Sequence, residues 1–171
     1  MLEALKGIRQ SINVSGSQRC ESDTYLTDGA YLFPAACMVS APARIAKLRT
    51  WRERGDRPDK WSSGYDRRSV TADSCAAVWR SAIDNATAPA VAAPELIPKG
   101  ATPTGRSTAF DLVEFAVQDR PAVFVDARKL AFAYSHTKFD AVQASPESEL
   151  APLALYRDGA AVGVLMPVRP L

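Results

Sequence analysis

Ala154-Leu155-Tyr156-Arg157-Asp158-Gly159-Ala160-Ala161-Val162-Gly163-Val164-Leu165-Met166-Pro167-Val168-Arg169-Pro170-Leu171 closes the sequence. The Asp158-Gly159 pair predicts a tight hairpin, because a two-residue turn needs positive φ and glycine supplies it without steric cost. The strand before the turn is expected over residues 153–156. The strand after it runs from 161 to about 166, where Pro167 removes a ladder donor and confines that position to a strand end or an edge. Strict alternation puts Val162, Val164, Met166 and Val168 on one face and Leu165 and Pro167 on the other. A strand apolar on both faces is buried twice, or buried once with a binding surface on its other side. Periodicity alone reads it as a final core strand.

The composition suits a globular protein. With 171 residues, 47% hydrophobic and 23% charged, the chain is long enough for a real core and is not disordered. A net charge of +2 does not by itself announce nucleic-acid binding, which would need the charge gathered on one face. Cys20, Cys37 and Cys75 are odd in number and widely spaced, fitting neither a disulfide framework nor zinc-ligand spacing. Reduced thiols in a cytoplasmic protein are expected. The N-terminal residues lack the basic-then-apolar pattern of a signal peptide, and no apolar run approaches the roughly 18 residues of a membrane helix.

Along the chain, Leu2, Leu5 and Ile8 predict a short helix over residues 2–10, and Ile12 and Val14 a brief strand. Asp28-Gly29 marks a second hairpin. Ser40 and Pro42 suit a helix start, with Ala41, Ile45 and Leu48 on one face. Residues 49–68 carry Arg49, Arg52, Arg54, Arg57 and Lys60 interleaved with Trp51, Trp61 and Tyr65. That mixture can track a nucleic-acid backbone, although Glu53, Asp56, Asp59 and Asp66 also suit a solvated, ion-paired loop. Asp73 is placed to cap a helix over 74–84 with Cys75, Val78, Trp79 and Ala82 as its stripe. Residues 86–107 are rich in Ala, Pro, Thr and Gly and predict at most a short strand near 95–97. Alternation predicts a strand over 110–117, with a helix as the alternative, and Val123 to Val125 reads as a short buried strand. Asp126 then caps a helix whose face is Ala127, Leu130, Ala131 and Tyr134. A strand over 139–144 leads to the final hairpin. The fold class expected is α+β.

Two motifs resemble one family. Val164-Leu165-Met166-Pro167-Val168-Arg169 is similar to the Met-Pro-x-Arg tail that ends the bacterial DNA polymerase III β subunit, the sliding clamp. Thr27-Asp28-Gly29-Ala30-Tyr31-Leu32 resembles the Thr-Asp-Gly-x-x-Leu strand–turn–strand signature of the clamp's middle domain. Clamps are built from strand–helix–strand units of antiparallel sheet with packed helices, and the order predicted over 123–171 matches one complete unit. The resemblance implies a reduced clamp-like protein with an N-terminal unit at 1–70, carrying the basic loop 49–68, and a C-terminal unit at 71–171. In that family the two motifs form an apolar groove for the short linear motifs of polymerase- or clamp-loader-type partners. The resemblance therefore assigns Thr27, Gly29, Tyr31 and Leu32 to one wall, and Val164, Met166, Pro167, Val168 and Arg169 to the other. An extended peptide with aliphatic and aromatic anchors suits such a channel, and Met adapts to its shape. Double-stranded DNA is an implied partner if several copies assemble as a homo-oligomer, with Arg49, Arg52, Arg54, Arg57 and Lys60 as the weaker, DNA-facing set.

The sequence holds no Gly-rich phosphate loop, CxxC, HExxH or GxSxG pattern. Its one histidine, His136, falls at a predicted helix end, where a cation interacts well with the helix dipole. No catalytic residue, metal ligand or cofactor is assigned. The alternative to a clamp-like protein is a small non-enzymatic interaction or inhibitory protein of the phage or plasmid type, an adaptor or decoy.

Overall fold

The structure, a computed structural model, describes residues 19–22, 25–27, 30–39, 72–97 and 111–170. The helices expected at 2–10 and 41–48, the brief strand at 12–14 and the basic stretch 49–68 lie outside them. The described elements run β1 (Arg19–Ser22), β2 (Tyr25–Thr27), β3 (Tyr31–Pro34), a 3-10 turn (Ala35–Cys37), α1 (Ala72–Asn85), β4 (Ala88–Ile97), β5 (Leu112–Val117), β6 (Val123–Asp126), α2 (Ala127–Thr137), β7 (Ala141–Ala144), β8 (Leu153–Arg157) and β9 (Ala160–Leu165). The class is mixed α+β, with every strand pairing antiparallel.

The nine described strands follow the order β1-β2-β3-β9-β8-β7-β4-β5-β6. The start of β4 pairs with β7 through Ala88 and Pro89, whereas its remainder pairs with β5. One strand thus serves two portions of sheet. The chain beyond β9 then joins the ends of the order. Met166 N donates to Ala30 O at 2.8 Å beside β3, and Val168 N donates to Phe124 O of β6 at 2.8 Å. Because β6 is the last strand in the order, the sheet must curl back for the tail to reach it.

The β8–β9 hairpin turns through Asp158 and Gly159, both with positive φ (51° and 77°). That pair of dihedrals matches the right-handed twist of the flanking strands. Three residues past Gly159, at Val162, the alternation expected of β9 fails. Leu155 opposes Gly163 and Tyr156 opposes Ala161, which leaves Val162 as an extra residue in a bulge. The bulge places Val162 with Leu165 in one core cluster and Val164 in another, so Val162 and Val164 do not share a face. The strand is buried on both faces.

The larger cluster gathers Phe33, Phe115, Val125, Leu130, Phe132, Phe139, Leu153 and Leu165, from strands at both ends of the order and from α2. Asp126 caps α2 by accepting the Arg128 N–H at 2.9 Å, and Arg128 returns a side-chain bond to the same carboxylate at 2.8 Å. The buried arc of α2 exceeds one stripe. Phe132 and Ala133 are buried as well as Ala127, Leu130 and Ala131, while Tyr134 is only partly covered and meets Phe139 edge-on at 5.5 Å. The smaller cluster lies on the other face of β9, where Cys75 and Ala82 of α1 pack on Leu32 and Val164, with Trp79 and Ile83 alongside. Val78, expected in that stripe, is 50% exposed.

The largest departure is β4. A ten-residue strand occupies a stretch where sequence alone predicted at most a short one. Pro89 sits where the strand changes partners, and Pro94 falls in the register irregularity between Ala92 and Leu96. Both prolines occupy places where a missing N–H is tolerated.

Candidate functional site

The two segments assigned to a peptide groove are neighbours in the sheet. β2 and β3 pair with Thr27 opposite Leu32, and β3 continues onto β9 with Tyr31 opposite Leu165 and Leu32 opposite Val164. Thr27 Oγ1 donates to the Tyr31 carbonyl at 2.6 Å, bracing the β2–β3 connection. Gly29 lies outside the described residues.

The eight assigned residues that are described divide by burial. Tyr31 is 2% exposed, Leu32 5% and Val164 1%. Tyr31 stacks on Phe33 with ring centroids 4.8 Å apart and meets Phe132 at 4.9 Å, while Lys129 Nζ stands 5.3 Å above its ring. The ring is thus held by aromatic and cation–π contacts inside the protein. Leu32 and Val164 are covered by α1. These three side chains form a packed base rather than an open wall. Surface remains at half-buried Thr27, Pro167 and Val168, and at Met166 and Arg169, which are exposed. Met166, at 37% exposure, is among the exposed large apolar side chains. Arg49, Arg52, Arg54, Arg57 and Lys60 lie outside the described residues.

A polar junction at the end of α2 had no counterpart in the sequence reading. The last carbonyls of a helix lack helical partners and must find others. Here Tyr134 O accepts the Lys138 N–H at 2.9 Å, and His136 O accepts the Val39 N–H at 2.8 Å. Thr137 O accepts from Arg157 Nη1 at 2.6 Å, and the same nitrogen reaches Cys37 O at 3.3 Å. Arg157 thereby ties the 3-10 turn after β3 to the end of α2. Its partners are 20 and 120 residues away, so no local pattern could have shown them.

Burial pushes the Cys37 thiol above its ordinary pKa, with the Arg157 cation pulling the other way, and Cys37 Sγ donates to Ala161 O at 3.8 Å. A thiol held protonated is a poor nucleophile. The His136 ring meets Phe132 edge-on at 4.5 Å. Among the described residues, no group of three or more His, Cys, Asp and Glu side chains is placed to hold a metal ion. No described helix is long and apolar enough to cross a membrane.

Family models, curated proteins and solved structures return no match to this chain.

Proposed function

We propose that this chain is a non-enzymatic, sliding-clamp-like protein of DNA replication or repair that holds short linear motifs of partner proteins against its C-terminal tail. The observation that carries the reading is the direct pairing of β3 with β9, extended by the Met166–Ala30 hydrogen bond. It joins the Thr-Asp-Gly-x-x-Leu segment to the Met-Pro-Val-Arg segment, the same two stretches that the family resemblance brings together. The order β6-α2-β7-β8-β9 also supports a clamp-like unit.

The groove proposed is shallower than the resemblance alone implies. Met166, Pro167, Val168, Arg169 and Thr27 offer the contact surface, and Tyr31, Leu32 and Val164 support it from beneath. Met supplies an adaptable apolar contact, and Arg169 can bind a peptide carbonyl or an acidic side chain. Titration with a labelled clamp-binding peptide of the aliphatic–aromatic type tests the reading.

DNA association through a homo-oligomer belongs to the same proposal and rests on Arg49, Arg52, Arg54, Arg57 and Lys60. Its signature is a steep loss of affinity for double-stranded DNA with added salt, and a weaker salt slope on charge reversal at Arg52, Arg54 and Arg57. Affinity that hardly changes with salt removes the DNA role and leaves the peptide role standing.

One observation favours the second reading, an interaction or inhibitory protein acting as an adaptor or decoy. Burial of Tyr31, Leu32 and Val164 is also what an ordinary core would show.

A further inference from the structure

We draw no further inference here: the strongest candidate, the Arg120 guanidinium on the β5–β6 turn with Nε and Nη1 buried and lacking an acceptor among the described residues, is only partly buried as a side chain, and nothing among the described residues shows what group covers it.

Discussion

Leu32 and Val164 are direct partners across the β3–β9 pairing, and both are sealed beneath α1. Through this contact a sheet edge contributed by the first quarter of the chain is fastened to its last strand. Replacing Leu32 by Ala is expected to cost about 2–5 kcal/mol, from lost apolar burial and the cavity left behind. Val78→Ser, on an exposed position of the same helix, should stay within about 0.5 kcal/mol of the parent. Chemical denaturation of both variants checks the pair. Equal effects would mean that α1 does not cover β3 and β9 as described.

Gly163 is required by close approach. A Cβ there would lie 2.7 Å from Phe33 Cδ1 and 2.8 Å from Phe33 Cε1, and Phe33 is fully buried. Gly163→Ala is therefore expected to destabilise the protein by about 1–3 kcal/mol, as overpacking does. Adding Phe33→Leu should recover part of that loss, giving a non-additive double-mutant cycle. Additive costs would contradict the contact.

Arg157 ties two distant backbone carbonyls, so Arg157→Met is expected to cost about 1–3 kcal/mol by leaving the carbonyl of Thr137 without its donor. The thiol of Cys37 supplies a second readout. Its pKa is raised by burial and opposed by Arg157, and only the thiolate is alkylated. Site-resolved alkylation of Cys37 should therefore need more alkaline solution than a free thiol does. Loss of the Arg157 cation should move the profile further upward in pH. A profile that moves downward would mean that the cation does not act on this thiol.

What the sequence made legible follows from where each signal resides. Asp158-Gly159 encodes its turn locally, and Asp126 encodes the start of α2 locally, so both were readable. β4 was not. Alanine and proline disfavour strand, and Ala88–Ile97 is held extended by its pairing with β5 and β7, a tertiary cause that no local window contains. The misplacement of Val78 has a geometric source. At about 100° per residue it lies roughly 85° from the centre of the Cys75, Trp79, Ala82 and Ile83 arc, on the flank rather than in the stripe. Phe132 and Ala133 went unread because a helix under a curled sheet is covered on more than one side. At the proposed site, the direct β3–β9 pairing and the burial of Tyr31 both rest on long-range contacts that no local window contains. A tyrosine beside a turn has no local mark of being stacked on Phe33 and Phe132.

The central claim is that the chain end around Met166 binds an extended apolar motif. The most direct measurement is a fluorescence-anisotropy titration of the full chain with a labelled aliphatic–aromatic clamp-binding peptide. It compares the parent, Met166→Asp and Val91→Lys, a control at an exposed position on β4, with thermal unfolding of each to confirm the fold. The account predicts saturable binding by the parent and by Val91→Lys, and at least a tenfold loss, about 1.4 kcal/mol, in Met166→Asp with its fold intact. No saturable binding by the parent, or binding that Met166→Asp leaves unchanged, would contradict it.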